Sequence, residues 1–147
     1  MASAQAPGFP ILDLSFNMGS ASSSTGVGPQ NTFQYSAVKF DGVDLQVAPS
    51  SSDGATILAG SQCAGVMQNQ PSLNQAATVR VLGVSKMVVD GSGTAIVPGN
   101  WLKNDTSGRG VVITTPSSSQ APIAMALQNS GAQNDIISVF VNLQSSW

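Results

Sequence analysis

The stretch from Gly65 to Val89, GVMQNQPSLNQAATVRVLGVSKMVV, constrains the fold more than any other part of the chain. Gly65-Val66-Met67 ends one strand-like run, and Gln68-Asn69-Gln70-Pro71 breaks it. Thr78-Val79-Arg80-Val81-Leu82 then begins another, with the two-residue alternation of a half-buried strand. Gly83 interrupts, and Val84 to Val89 resumes with Lys86 as its only charge. A glycine inside such a pattern marks a bulge or a close approach of two backbones. The strand is therefore expected to bend at Gly83 and cross from one face of a barrel to another.

The rest of the residue palette agrees with strands. Charged residues make up only 8% of the chain, against roughly 25% in ordinary globular proteins. There is no Glu at all, while Ser, Thr, Asn, Gln, Val and Gly are abundant. Helical surfaces rely on Glu, Lys, Arg and Ala, so this palette selects β-structure and turns. At 147 residues the chain supports one domain with a real core. The expected fold is all-β, a small barrel or sandwich-like domain with short loops and an extended N-terminal arm.

That arm occupies residues 1–31, ahead of a single β domain over 32–147. Phe9, Ile11, Leu12, Leu14 and Phe16 form one apolar patch, with Leu12, Leu14 and Phe16 alternating against Asp13 and Ser15. A Gly/Ser/Thr-rich tether runs from Asn17 to Asn31. A lone apolar strand on a tether either folds back onto its own domain or adds to the sheet edge of a neighbouring subunit. The second is favoured here, which makes these five residues the candidate site for binding a neighbouring subunit.

From Asn31 onward, turn signals recur about every 8 to 12 residues, the spacing of sandwiches and barrels. Asp41-Gly42 predicts a hairpin between Phe33–Phe40 and the alternating Val43, Leu45 and Val47. Further strands are expected at Ala55–Ala59, Cys63–Met67, Thr94–Val97, Trp101–Lys103 and Gly110–Thr115. Pro71–Ala77 could hold one helical turn, and Ala121–Leu127 reads equally as a strand or a helical turn. In the last strand Ile137, Val139, Val141 and Leu143 face one way, with Ile136 and Phe140 partly covered on the other.

Several chemistries lack their residues. The chain has no histidine, which removes the usual general base and the commonest transition-metal ligand. No Gly-x-Ser-x-Gly elbow or phosphate-binding glycine loop occurs, and Asp41 and Asp44 read as solvent-facing turn residues. No enzyme activity, catalytic residue, cofactor or metal is expected. The lone Cys63 lies among small apolar neighbours and reads as a buried hydrophobe. The five basic residues are scattered singly and the net charge is −2, so direct nucleic-acid binding is not expected. No run approaches the ~20 apolar residues of a membrane span, and no signal peptide is visible, which points to synthesis in a cytoplasm.

The central stretch also carries a resemblance. Gly65-x-x-Gln68-Asn69-x-Pro71 and Ala77-Thr78-Val79-x-Val81-x-Gly83-Val84-Ser85-Lys86 resemble the phage capsid cement, or head decoration, proteins. Gly99-x-x-Leu102-Lys103-x-Asp105-x-x-Gly108, Ile123-Ala124-x-Ala126-Leu127 and Gly131-x-x-x-Asp135-Ile136-Ile137-x-Val139 extend that pattern over roughly residues 55 to 143. The resemblance implies a small β-rich protein, often a homotrimer, bound to the major capsid protein on the outer surface of the virion head and bracing the expanded shell against DNA pressure. The first 50 or so residues carry no such pattern. The alternatives are a virion surface-binding module for carbohydrate or host surfaces, or another phage structural subunit.

Overall fold

The computed structural model describes residues 11–19, 34–40, 42–49, 63–115 and 122–143. Nine strands run through them: β1 (Leu12–Met18), β2 (Ala37–Phe40), β3 (Gln46–Pro49), β4 (Cys63–Met67), β5 (Ala76–Asp90), β6 (Trp101–Asn104), β7 (Gly110–Val112), β8 (Ala124–Ala126) and β9 (Gln133–Asn142). They form one sheet in the order β1-β3-β2-β4-β5-β7-β6-β8-β9, which closes on itself through further β1–β5 and β5–β9 pairings. The result is two small rings sharing β5: β1, β3, β2 and β4 complete the first, and β7, β6, β8 and β9 the second. Among the described residues there is no helix. The all-β barrel expectation holds, with two closed rings where the sequence suggested one.

The long strand β5 does what its sequence predicts. Its first half pairs antiparallel with β1, from Asn17 opposite Ala76 to Leu12 opposite Leu82. From Leu82 to Asp90 it pairs antiparallel with β9. The exchange of partners falls at Val81–Gly83, where the β1 register slips and Gly83 takes φ +111°. The bend carries the strand from one ring into the other.

Two apolar cores follow from the two rings. Met18, Val38, Val47, Ala64, Met67, Ala77 and Val79 fill the first. The second holds Met87, Val89, Ile96, Leu102, Ile123 and the inward row Ile137, Val139 and Val141 of β9, together with Ala37 and Val66. Neighbours Ala37 and Val38, like Val66 and Met67, thus face different cores. The β2–β4 ribbon is a wall covered on both sides, with Ala37, Val38, Val66 and Met67 all buried. Backbone hydrogen bonds from Val88 to Tyr35 (2.9 Å) and from Ala37 to Gly108 (2.8 Å) seat this wall against the second ring.

The polar residues of the central motif stitch the rings together. Asn69 Oδ1 accepts from the Thr78 N–H at 2.8 Å while its Nδ2 donates to Ala76 O, folding the β4–β5 connection back on β5. Gln68 Nε2 donates to Val66 O and to Ser85 Oγ, both at 2.9 Å, so it ties the two halves of β5 to β4. This connection is a turn with Asn74 at φ +63°, and the helical turn considered for Pro71–Ala77 does not form. Asp105 organises the β6–β7 turn by accepting from the backbone of Ser107 and Arg109, with Gly108 at φ +79°.

Other expectations shift in detail. The β2–β3 hairpin is present, but β3 starts only at Gln46, because Leu45 sits at φ +57° and leaves the extended region. Thr94–Val97 contributes only an isolated bridge between Ile96 and Ser130, since Asn100 Oδ1 captures the Val97 N–H at 2.9 Å and turns the chain. Of the segment expected as strand or helical turn over 121–127, Ala124–Ala126 forms strand β8. The expected strand at Ala55–Ala59 lies outside the described residues.

Cys63 packs against the second core and donates weakly to Gly65 O at 3.5 Å. Burial pushes its thiol up to about 12, so the thiolate is scarce at neutral pH. Iodoacetamide at pH 8 should leave Cys63 unmodified in the folded protein and label it fully in denaturant, as read by mass spectrometry. Rapid native labelling would contradict this packing.

Candidate binding surfaces

Of the five residues singled out in the arm, Phe9 lies outside the described residues. Ile11 is exposed just before β1, and Leu12, Leu14 and Phe16 are within β1. The structure takes the first of the two alternatives for this segment: residues 12–18 fold back onto their own chain, antiparallel to β5 and parallel to β3. The reason is in β5 itself, whose first half offers an edge and a matching apolar pair, Ala77 and Val79, opposite Phe16 and Leu14.

Side chains of one parity along β1 go progressively under cover. Leu12 is 47% exposed, Leu14 41%, Phe16 is half-buried, and Met18 is 1% exposed in the first core. Phe16 meets Phe40 edge to face, ring centroids 5.7 Å apart at 80°. Phe40 was not singled out by the sequence; its place at the end of an apolar run was the available signal. Exposed Leu12 and Leu14 on this side of β1, with Phe40 against Phe16, give the first core an apolar lip. Exposed apolar groups clustered in this way mark interaction surfaces.

The opposite parity of β1 is polar and carries a latch. Arg80 grips Asp13 through two hydrogen bonds, Nε to Oδ1 at 2.7 Å and Nη2 to Oδ2 at 2.8 Å. The Arg80 guanidinium, first by hydrogen bonding and then by its charge, holds the Asp13 carboxyl below its ordinary 3.8 despite some desolvation. A lowered folded value means that this stabilisation is fully present above about pH 3.8 and is lost as pH falls through the folded value. The pair is partly exposed, so its worth is about 0.5–1 kcal/mol after screening. Asp13→Asn should cost that amount at pH 7 and progressively less as the pH is lowered below 3.8, measured by urea unfolding across that range.

A second apolar surface was not foreseen. Outside the second ring, Trp101 stands opposite Met125, Met125 opposite Phe140, and Phe140 opposite Val84. These four side chains make one apolar row across β6, β8, β9 and β5. Val84, Met125, Leu127 and Phe140 line a shallow apolar depression of about 320 Å³ there. The partly covered second face of β9 was the signal for it.

Arg109 occupies a more enclosed position, bound to Asp105 Oδ2 at 2.6 Å and Asp90 Oδ2 at 3.3 Å. Asp90 is held below the ordinary carboxyl range, first by the Ser92 hydroxyl, then by Gln133 and the Arg109 charge. This constellation joins the end of β5 to the β6–β7 turn. Among the described residues, no group of three or more His, Cys, Asp or Glu gathers as a metal site would. No helix among them is long and apolar enough to cross a membrane.

Fold and surfaces together define a class: an all-β domain of two fused small barrels that presents apolar patches on its outer faces. Neither a protein-family model nor any curated protein matches the sequence. The fold is similar to the head fiber gp8.5 N base of bacteriophage phi29, with a TM-score of 0.55 over 94% of this chain and 99% of that chain. The sequences are 12% identical, so the likeness is one of fold. Of the motif residues, Gln68, Asn69, Asp105 and Gly108 serve here in turns and stitching bonds, while Val79, Leu102, Ile123 and Val139 fill the two cores.

Proposed function

We propose that this chain is a structural protein of a bacteriophage head that binds the outer surface of the capsid shell as a decoration protein and stabilises the expanded lattice against the pressure of packaged DNA. The observation that carries the reading is the apolar lip at the open end of the first core, on a fold shared end to end with a phage head fiber base. The motif resemblance to the cement proteins supports the same role.

The mechanism is mechanical, with no bond-making step. Each bound copy buries its lip across shell subunits and favours the lattice that offers the site, adding RT ln(1 + [L]/Kd) per site. Apolar burial tolerates changing ionic strength better than ion pairs do, which suits a chain with 8% charged residues.

Removing residues 2 to 18 would take β1 out of the first ring, so point substitutions are the cleaner test. Leu14→Asp places a carboxylate on an already exposed position of the lip. It should weaken binding to purified heads lacking the protein by about tenfold or more, with an unchanged circular dichroism spectrum. Undiminished occupancy by Leu12→Asp and Leu14→Asp would reject the lip as the anchor.

A further inference from the structure

Two surfaces outside the lip are complementary to each other. One is the tip of the β2–β3 hairpin, where Val43 is 56% and Leu45 71% exposed, with the exposed carboxylate of Asp44 between them. The other is the apolar row of the second ring, with its depression lined by Val84, Met125, Leu127 and Phe140.

Their charges are complementary. Lys86 lies beside the row on β5, bonded only to the Ser138 hydroxyl at 3.1 Å, and Lys103 lies at its other end on β6. Among the described residues no carboxylate accompanies them on this face: Asp13 is taken by Arg80, Asp90 and Asp105 by Arg109, and Asp135 by Ser130. The row thus has an apolar centre with cations at opposite corners, and the tip has two apolar side chains flanking an anion.

The two cannot meet within one molecule. Asn17 N–H donates to Leu45 O at 2.8 Å and stands opposite Ala76, so the tip lies at the start of β5. The row crosses β5 at Val84, about 26 Å farther along a strand of ordinary rise. The geometry points to a head-to-tail contact between copies of this chain, in which the Val43-Asp44-Leu45 tip of one seats in the Val84–Met125–Phe140 row of the next. Two different patches joined in this way form a heterologous interface, and such an interface ends in a closed ring when the rotation permits. Leu45 is the anchor, because its positive φ aims an apolar side chain outward from a turn that a polar residue would hold more readily.

The contact goes beyond the head-binding role and fails separately from it, since it concerns the purified chain without heads. The test is light scattering coupled to size exclusion over a concentration series, with wild type, Leu45→Asp, Asp44→Lys, Lys86→Asp and the double variant Asp44→Lys/Lys86→Asp. All these sites are exposed, and aspartate tolerates the Leu45 backbone conformation, so circular dichroism should show unchanged folding. Wild type should elute as a multiple of the 14.9 kDa chain. Each single variant should associate at least tenfold more weakly, and the double variant should recover because each interface regains one opposite pair. A wild type that stays monomeric at the highest concentration overturns the contact. So does an oligomer indifferent to Leu45→Asp and Asp44→Lys, or a double variant that remains dissociated.

Discussion

Gly65→Ala is expected to destabilise the protein by about 4 kcal/mol, combining a strained backbone with overpacking against a rigid neighbour. Gly65 sits within β4 at φ +142°, where side-chain-bearing residues are rarely found. A Cβ there would lie 2.5 Å from Arg80 O and 2.5 Å from Val79 Cγ1, both on β5. Neither can retreat: the Arg80 carbonyl belongs to the strand shared by both rings, and Val79 is fully buried in the first core. Since β4 is covered on both sides, relief in one direction would press on the other core. Thermal unfolding should show a midpoint lower by roughly 10–15 °C. A shift of less than 3 °C would mean that β4 and β5 are not held this closely.

The second large effect is expected at Met87. Its side chain is fully buried in the second core, and a Cβ built on Gly110 would meet its Sδ and Cε at 3.2 Å each. Met87 therefore occupies the space that Gly110 leaves empty between β5 and β7, which pair only at Val89 and Gly110. Met87→Ala removes the filler where the opposite wall has no side chain to move in. The cost should lie in the upper part of the 2–5 kcal/mol range for such truncations, about 4 kcal/mol. Gly110→Ala in the same background should recover part of the loss by refilling the void. Chemical denaturation of the wild type and the two variants checks both statements, and a cost below 1.5 kcal/mol for Met87→Ala would contradict this packing.

These positions also show what the amino-acid sequence could reveal. Alternation in Thr78–Leu82 and Ile137–Val141 translated directly into strands with one covered face, because a period of two requires a sheet with distinct sides. Gly83 was legible as the bend of β5. Gly65 carried the tighter constraint but stood among the small apolar residues of Cys63–Met67, where nothing local reveals how closely the next strand approaches. The second ring was hidden for a related reason: β2 and β4 serve two cores, and a strand buried on both faces has no periodicity to betray which partners it separates. At the surface, the apolar character of β1 was plain from Leu12, Leu14 and Phe16. Its docking on β5 was not, since that depends on an edge supplied some sixty residues later in the chain.

The row of Trp101, Met125, Phe140 and Val84 shows the limit from the other side. Each residue is ordinary in its own segment, and only the pairing of four strands brings them into line. A surface assembled across strands leaves no signature in any one of them.

The most direct test of the proposed head-binding role is a side-chain-resolution cryo-EM map of mature phage heads incubated with the purified chain. The account predicts two-ring densities repeating with the lattice on the outer shell, with Leu12, Leu14 and Phe40 against capsid subunits. Copies confined to the neck or tail, or an outer shell bare of this domain, would contradict it.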